Sequence, residues 1–304
     1  METVSACIAV YNGADHLSKA LTSVVTQTFR PAEIIVLDDG SIDNSTEIAR
    51  SFEGVTVLEQ ANGGIGAARR ALVEAAKGDW IAFCDHDDWW EPNRLEAMIP
   101  ATQQGNPTLI YSGAWHVDAK GLTTESPLHA SPNAPSVDHL IPYPEDIWTS
   151  ATLLRRASVI EVGNFNPYYR TGEDMLMWFQ LGSLGQITQV PQRLVHMLRR
   201  PISTSSPDKR QFEYAVSLYD KEIIPNFDKW FPTLETRERH EYRRQLEAKL
   251  GFKMSILAAM IDMEGDRATA KKLHQRAIKL SPRAKGVWYR YFRNLLNKPS
   301  NPPI

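Results

Sequence analysis

The sequence predicts an α/β fold, a mainly parallel sheet flanked by helices, with a helical C-terminal region. Through the first hundred residues, short apolar runs rich in β-branched residues alternate with segments of helical periodicity. This order of elements is typical of a parallel sheet covered on both faces. Past residue 206 the pattern becomes almost wholly helical. We therefore expect two domains, residues 1–205 and residues 206–304.

The individual elements follow from the same patterns. Four buried strands are predicted where apolar runs end in turn residues, at residues 4–10, 33–37, 55–59 and 80–84. Helices are predicted between them at residues 15–28, 44–52 and 66–76. Residues 105–150 are rich in Pro, Gly, Ser and Asn, which indicates long loops around a strand at 109–112. Further strands are predicted at residues 148–154 and 187–190.

The helical region contains one pattern of its own. Small and apolar residues fall at the spacing of a tetratricopeptide hairpin around a turn at Gly265: Leu257, Ala258, Ile261, Ala270, Ala277 and Pro282. Only one such unit is visible, whereas repeat arrays need about three to be stable. The alternative is an all-helical appendage packed on the main domain.

Charge is distributed unevenly along the 304 residues. The 34 Lys and Arg nearly balance the 36 Asp and Glu, which argues against a nucleic-acid-binding protein that depends on overall basicity. Residues 1–198 hold 12 basic and 24 acidic side chains, whereas residues 199–304 hold 22 basic and 12 acidic. This asymmetry indicates a separate partner for the basic region.

Cysteines and targeting signals bear on location. Cys7 and Cys84 both lie in apolar runs, which favours free thiols in a reducing compartment over a disulfide framework. No transmembrane span is expected, and the apolar stretch 4–10 is too short for a signal peptide. We expect a cytoplasmic protein, with peripheral contact at the inner face of the cell membrane as a further option.

Polar residues follow three of the predicted strands. Tyr11 and Asn12 follow the first, residues 38–43 (DDGSID) the second, and residues 85–88 (DHDD) the fourth. Ligands of open parallel sheets bind beyond the carboxyl ends of the strands. Three acids in four residues repel one another unless a cation relieves them, and Mg²⁺ or Mn²⁺ prefers carboxylate and phosphate oxygens. This edge is therefore predicted to bind a metal ion and a diphosphate.

Six blocks of the sequence resemble, in order and spacing, those of family-2 glycosyltransferases with the GT-A fold. They are residues 8–12 (IAVYN), 27–29 (QTF), 35–43 (IVLDDGSID), 62–69 (NGGIGAAR), 78–88 (GDWIAFCDHDD) and 172–174 (GED). The resemblance covers residues 3–205. It implies an inverting, metal-dependent enzyme that moves a sugar from a nucleotide-diphosphate donor, in this family commonly a UDP-sugar, to a hydroxyl acceptor.

The resemblance implies a nucleotide site. Ala9 and Tyr11 match the wall for the base, with the Tyr11 ring stacking on it. Asp39 matches the aspartate that accepts a hydrogen bond from the base. Arg69 resembles a nucleotide-contacting arginine, whose fork suits a diphosphate or a base edge.

The resemblance also implies a metal turn. Asp85 and Asp87 match the DXD motif, so that Asp85 would face the ribose and the donor sugar and Asp87 would ligate Mn²⁺ or Mg²⁺. Asp88 is similar to the acid that supports the same turn. The ion would stabilise the departing nucleoside diphosphate as a Lewis acid.

The general base implied by the resemblance is Asp174, which would take the proton from the acceptor hydroxyl. Glu173 is the rival, but on a helix its side chain would point about 100° away from that of Asp174. A structural alternative for Asp174 is an acid that only interacts with the helix dipole.

Two positions depart from the family pattern. Residues 163–165 read GNF where the family has Gly-Gly-Phe, which is a small change. Arg200 stands where many relatives have a histidine that helps with the metal or the diphosphate. A fixed cation would then replace that histidine.

Other classes of protein fit less well. A Rossmann dehydrogenase would carry its glycine-rich loop after the first strand, not after the third as in residues 63–66. A sugar-phosphate nucleotidyltransferase would carry a basic, Gly-rich loop after the first strand, which residues 11–15 (YNGAD) do not form. A sugar-binding or scaffold protein derived from a degenerate transferase stays an alternative, although Asp85, Asp87 and Asp174 are all present.

The acceptor is predicted to be a saccharide or a lipid-linked saccharide, as in the synthesis of bacterial surface polysaccharides. Trp148 would stack on a sugar ring, or else be a buried core residue. Residues 283–298 hold five basic and no acidic side chains along an apolar helical stripe. This pattern suits a helix at an anionic membrane surface, and equally a last helix packed on its neighbours.

Overall fold

The computed structural model describes residues 2–118, 120–126, 134–141, 147–199 and 209–295. The chain divides into two compact units, Met1–Ser203 and Thr204–Ile304.

The first unit is built on one sheet. Its strands are β1 (Val4–Val10), β2 (Glu33–Asp38), β3 (Val55–Glu59), β4 (Trp80–Phe83), β5 (Trp89–Trp90), β6 (Pro107–Val117), β7 (Thr123–Glu125), β8 (Thr152–Arg155) and β9 (Gln186–Leu198). In the described residues they lie in the order β3-β2-β1-β4-β8-β6-β9-β5, with β7 beside β6. The helices of this unit are α1 (Ala14–Val25), α2 (Ser45–Arg50), α3 (Ile65–Ala75), α4 (Arg94–Met98), α5 (Ser136–Leu140), α6 (Arg156–Glu161) and α7 (Glu173–Leu184), with 3₁₀ turns at Ile99–Gln103 and Thr149–Ala151.

Strand β1 lies at the centre of the parallel part of the sheet. It pairs in parallel with β2 on one side and β4 on the other, so that Cys7 lies opposite both Ile35 and Phe83. All seven of its residues are buried, because a central parallel strand is covered on both faces. Beyond β4 the sheet becomes mixed, since β8 runs antiparallel to both β4 and β6.

The parallel strands bring the predicted site loops to one edge. The strand order reverses between β1 and β4. The loops that follow β1 and β2 lie on one side of this point, and the loop that follows β4 lies on the other. Ligands of open α/β sheets bind at such a point. The α/β fold with a helical C-terminal region, predicted from the sequence, is confirmed.

Three parts of the first unit differ from the predicted elements. Strand β6 runs over Pro107–Val117, far beyond the predicted 109–112, and β5 and β7 were not predicted. The strand predicted at 148–154 is wrong at its start. Residues Thr149–Ala151 form a 3₁₀ turn instead, and β8 begins at Thr152. The side chains of Thr149 and Ser150 bond instead to Asp174 in α7 and to Asp88 after β4.

Both cysteines are free and fully buried. Cys7 lies within β1 and Cys84 directly follows β4. Burial raises the pKa of each thiol. The expectation of buried thiols without a disulfide is confirmed.

The second unit is helical in its described residues. Its elements are α8 (Lys209–Leu218), a π-helical turn (Tyr219–Ile223), α9 (Ile224–Trp230), α10 (Thr236–Met263), α11 (Arg267–Leu280) and α12 (Lys285–Leu295). Helices α10 and α11 pack against each other across a turn at Gly265, which has a φ of 95°. Ala258, Ala270 and Ala277 are fully buried. The tetratricopeptide similarity of this hairpin stays a prediction.

Helices α10 and α11 approach closely at Gly251. A Cβ atom there would lie 2.9 Å from the backbone oxygen of Ala277 and 2.5 Å from Ser281 Oγ. The hydroxyl of Ser281 donates to the carbonyl of Ala248 at 2.7 Å. In the part of the chain that the structure describes, no helix is both long and apolar enough to cross a membrane.

Candidate active site

The loop after β1 forms the outer wall of the site. Tyr11 is half exposed, whereas Ala9 is buried. Asn12 adopts a positive φ of 50°, and its side-chain oxygen accepts from the Ile42 backbone N–H at 2.9 Å. The Asn12 N–H in turn donates to Ser41 Oγ at 2.9 Å. These bonds fasten the Tyr11 loop to the loop after β2.

Asp39 organises the glycine-rich turn. Its carboxylate accepts from Gln60 Nε2 at 2.6 Å and from the backbone N–H groups of Gly63 and Gly64 at 2.9 and 2.8 Å. The side chain is buried. Asp39 therefore holds the turn that leads into α3. Its contact with the base stays a prediction.

Asp38 has a role that the sequence did not reveal. Its buried carboxylate accepts from the Ser41 N–H at 2.7 Å and from the Thr46 hydroxyl. It thereby closes the loop after β2 onto the first turn of α2. The sequence shows two consecutive acids here but not their separate roles. Asp38 holds the loop after β2, and Asp39 holds the glycine-rich turn before α3.

Arg69 is a buried arginine between two carboxylates. It is only 4% exposed. One guanidinium nitrogen donates to Asp85 Oδ1 at 2.9 Å and the other to Glu173. Burial acts to lower the pKa of Arg69, but Asp85, Glu173 and Asp174 outweigh it and raise that pKa above its ordinary value. Arg69 is therefore a fixed positive charge that joins the turn after β4 to the start of α7.

Glu173 lies on the inner side of α7. It is 3% exposed, and its Oε2 has no hydrogen-bond partner among the described residues. Burial, opposed by Arg69 and reinforced by Asp174, raises the pKa of Glu173 to about 8. An acceptor hydroxyl cannot readily reach a carboxyl group enclosed in this way, so the placement favours Asp174 as the base.

Asp174 faces outward from the first turn of α7. The helix begins after Gly172, whose φ of 78° turns the chain sharply into it. Asp174 Oδ2 accepts from Thr149 Oγ1 at 3.0 Å, and Oδ1 accepts from the Met175 N–H at 2.7 Å. The carboxylate is half-buried, so it is oriented but still accessible.

The acidic turn after β4 places its three carboxylates differently. Asp85 is one-third exposed and paired with Arg69. Asp88 is buried, and its two oxygens accept from Ser150 Oγ at 2.5 Å and from the Leu198 N–H at 3.2 Å. Burial, together with Asp85 and Asp87, raises the pKa of Asp88 well above its usual range. Such crowding of carboxylates would be relieved by a cation.

Asp87 lines a pocket of about 280 Å³ together with His16, Lys19 and Trp89. The described residues contain no group of three or more His, Cys, Asp or Glu side chains placed to hold a metal ion. Magnesium usually takes one or two protein carboxylates and completes its shell with substrate phosphates and water. Asp87 therefore fits an ion that it would share with a diphosphate.

Trp148 is the chain neighbour of Thr149, the residue that bonds to Asp174. It directly precedes the Thr149–Ala151 turn, is half-buried, and meets His116 edge to face at 4.9 Å. Burial, aided by Arg199, lowers the pKa of His116 to about 4, so this imidazole is neutral at pH 7. Arg200, the predicted substitute for a family histidine, lies outside the described residues.

The sequence did not reveal the hydrogen bonds that connect the site. Thr149 and Ser150 bond to Asp174 and Asp88, partners that lie 25 and 62 positions away in the chain. Neither hydroxyl stands in a recognisable motif. The short 3₁₀ turn between two apolar segments gave no signal.

Comparisons with known proteins identify the family of the chain. Residues 5–163 match the family described as Glycosyl transferase family 2. An uncharacterized glycosyltransferase of Rickettsia conorii is 32% identical over 186 residues, which are 59% of this chain and 31% of that protein. Glycosyltransferase GlyA of Streptococcus pneumoniae is 36% identical over 101 residues, 32% of this chain and 14% of that protein. The chain spans about a third of the length of the first curated relatives it matches.

A solved structure shows the same fold. S. aureus TarS, residues 1–349, in complex with UDP-GlcNAc, has a TM-score of 0.65 at 15% identity, over 97% of this chain and 92% of TarS 1–349. The matched family covers the loops after β1, β2 and β4. The chain belongs to glycosyl transferase family 2.

Proposed function

We propose that the protein is a metal-dependent, inverting glycosyltransferase that moves a sugar from a UDP-sugar to a hydroxyl acceptor. One observation carries this proposal: Asp174 at the start of α7 and Asp85 after β4 both lie near the buried Arg69. Arg69 holds Asp85 in place, and the Thr149 hydroxyl holds Asp174. The complex of TarS with UDP-GlcNAc supports UDP as the nucleotide. We place the enzyme in surface polysaccharide synthesis.

The donor would lie along the edge of the sheet. The exposed Tyr11 ring would cover the base, with Ala9 beneath it and Asp39 accepting its N–H. Asp85 would face the ribose and the donor sugar. Its pairing with Arg69 holds its carboxylate in place before the donor arrives.

The metal ion would be held by Asp87 together with the phosphates of the donor. Bound Mn²⁺ or Mg²⁺ would supply Lewis-acid stabilisation of the leaving nucleoside diphosphate. Asp88 is buried behind this turn and bonded to Ser150, so it would support the turn.

The acceptor would approach from the side of Trp148 and Asp174. Its hydroxyl oxygen attacks the anomeric carbon, the bond to the diphosphate oxygen breaks, and Asp174 takes the hydroxyl proton. A single displacement of this kind inverts the anomeric centre. A positioned base contributes about 10²- to 10⁴-fold to the rate.

Turnover of UDP-sugars tests the proposal. UDP release from UDP-GlcNAc and related donors, measured with Mn²⁺ and with saccharide acceptors, should appear in the wild type. Asp87→Asn should remove the metal dependence of UDP binding. Asp174→Asn should keep UDP binding and lower turnover by roughly 10²-fold or more.

The control is Asp138→Asn, which changes an exposed carboxylate on α5 and should leave both properties unchanged. Binding of UDP-sugars without turnover for any donor and acceptor would contradict the proposal. That result would instead support a sugar-binding or scaffold protein derived from a transferase.

We further propose that the second unit contacts the anionic inner face of the cell membrane, where a lipid-linked saccharide acceptor would be presented. Val287 anchors α12 by full burial, whereas Tyr289 and Phe292 are 61% and 52% exposed. Arg293 lies 5.7 Å from the Tyr289 ring, and no acidic residue lies on α12. Exposed aromatic residues with arginines suit the headgroup region of anionic lipid.

A further inference from the structure

The Thr149–Ala151 turn joins the two halves of the candidate active site through adjacent side chains. Thr149 Oγ1 donates to Asp174 Oδ2 at 3.0 Å. Ser150 Oγ donates to Asp88 Oδ2 at 2.5 Å and accepts from the Asp85 N–H at 3.0 Å. Both side chains are buried. One hydroxyl therefore holds the predicted base, and the next holds the acidic turn.

Arg69 closes this connection from the opposite side. Its guanidinium bonds to Asp85 in the acidic turn and to Glu173 at the start of α7. Because Glu173 and Asp174 are consecutive residues, the bonds form a closed ring. The ring passes from Asp174 through Thr149, Ser150, Asp85 and Arg69 to Glu173, and then along the backbone to Asp174.

The turn itself is rigidly held. The Thr152 hydroxyl donates to the Thr149 carbonyl at 2.8 Å, and Trp90 Nε1 donates to the Ser150 carbonyl at 3.2 Å. Strand β8 then continues directly into the sheet between β4 and β6. Thr149 is thus supported by the sheet, whereas Asp174 depends on Thr149 for the orientation of its outer oxygen.

We infer that Thr149 is a positioning residue that fixes the carboxylate of Asp174 at a set distance from the donor-side carboxylates. This inference rests on the proposed function. Asp174 lies in the first turn of its helix and is half-buried. Without the Thr149 hydroxyl, its carboxylate keeps the bond from the Met175 N–H but loses the one that orients Oδ2. A displacement of about 1 Å in a reacting group can cost 10²-fold in rate.

Thr149 should affect the rate of the chemical step and not the binding of the donor. In the described residues Thr149 bonds to Asp174, while the bonds to Asp85 and Asp88 come from Ser150. Removing the Thr149 hydroxyl therefore leaves the donor side bonded as before. The expected signature is a fall in kcat with little change in the KM for the donor.

Thr149→Val tests this inference, because valine keeps the shape of threonine and lacks only the donor. The remaining Asp174 oxygen can bond to water, so no buried group is left without a partner and stability should change little. We expect kcat to fall roughly 10- to 100-fold, with the donor KM and the Tm increase on adding UDP within about twofold of wild type. Thr149→Ser, which keeps a hydroxyl, should restore most of kcat.

A double substitution separates this inference from the proposed function. Adding Thr149→Val to Asp174→Asn should cost little further rate, since the two residues act as one unit. If the wild type turns over and Asp174→Asn abolishes turnover, but Thr149→Val keeps kcat within twofold, the inference fails and the proposed function stands. A loss of kcat that Thr149→Ser does not restore, or an equal loss of UDP binding, also overturns it. Absence of turnover in the wild type defeats the proposed function itself.

Discussion

Two consecutive carboxylates, Glu173 and Asp174, differ because a helix turns them to opposite surroundings. Glu173 points inward to Arg69 and is enclosed, while Asp174 points outward to Thr149 and the site. The 100° rotation per residue of a helix is enough to give neighbours unlike environments. The sequence could predict this separation, but not which of the two would be buried.

Glu173 should make folding stability depend on pH. Its pKa is raised from 4.5 in the unfolded chain to about 8. Between these values the folded protein keeps a proton that the unfolded chain has lost, so stability falls as pH rises through that window. Glu173→Gln removes the titrating group. The variant should therefore gain stability relative to the wild type with rising pH, by at most about 1.4 kcal/mol per pH unit.

Urea unfolding followed at pH 5, 6, 7 and 8 measures this difference. Glu161→Gln, at an exposed position that ends α6, is the matched control and should track the wild type throughout. Parallel stability curves for Glu173→Gln and the wild type would show that Glu173 is already ionised in this range.

At the scale of elements, the local sequence pattern predicts a strand correctly where that strand is buried along its whole length. Strand β1 was predicted over the residues it occupies, because seven consecutive apolar or small residues between turns have few alternatives. Strand β6 was not predicted in full, since Pro107, Ser112 and Gly113 lower its intrinsic preference. Its length depends on β8 and β9, partners that come from distant sequence.

The start of β8 shows that the local sequence pattern also fails to predict part of the site. The stretch from Trp148 to Leu154 has the composition of a strand, yet its first residues turn away to bond with Asp174 and Asp88. Family motifs predicted which acids belong to the site. They could not locate the hydroxyls that connect those acids, because these bonds form only in three dimensions.

Helix packing in the second unit predicts opposite effects at two glycines. Gly251→Ala would place a methyl group 2.9 Å from the Ala277 carbonyl and should destabilise the unit by about 1–3 kcal/mol. Gly286, within α12, has only the flexible end of Arg290 nearby, at 3.4 Å. Gly286→Ala should stabilise by up to about 1 kcal/mol, through the higher helix propensity of alanine.

Thermal unfolding followed by circular dichroism at 222 nm distinguishes these cases. The two substitutions are chemically identical, so any difference in the sign of the Tm change reports the packing. A rise in Tm for both variants would contradict the close approach of α10 and α11.

At the scale of the whole molecule, the near-neutral total charge conceals an acidic and a basic region. The carboxylates of the candidate active site belong to the acidic region, and α12 carries only positive charges. Phe252 of α10 is also exposed, and Arg290 lies 5.3 Å from its ring. This distribution is the reason to expect an anionic surface as a partner of the second unit.

Co-sedimentation with lipid vesicles tests that expectation. The protein should bind vesicles that contain phosphatidylglycerol, bind pure phosphatidylcholine weakly, and be released as salt shortens the Debye length from about 10 Å at 0.1 M to 3 Å at 1 M. The double substitution Tyr289→Ser and Phe292→Ser should lower binding roughly tenfold, because it removes two side chains that would enter the headgroup region.

Met263→Ser is the control for this measurement, since it removes an exposed apolar side chain from the same unit. Equal binding to anionic and neutral vesicles, or unchanged binding of the double variant, would contradict a role for α12. Membrane contact would then be no explanation for the basic region.

The chemical reactivity of the two buried thiols can report when the sheet of the first unit opens. Cys7 and Cys84 are the only cysteines in the sequence, and both are fully buried, Cys7 within β1 and Cys84 directly after β4. A thiol reagent can therefore modify Cys7 only after β1 has separated from its neighbours. The labelling rate then measures how often this sheet opens, and it is blind to local unfolding of the C-terminal helices.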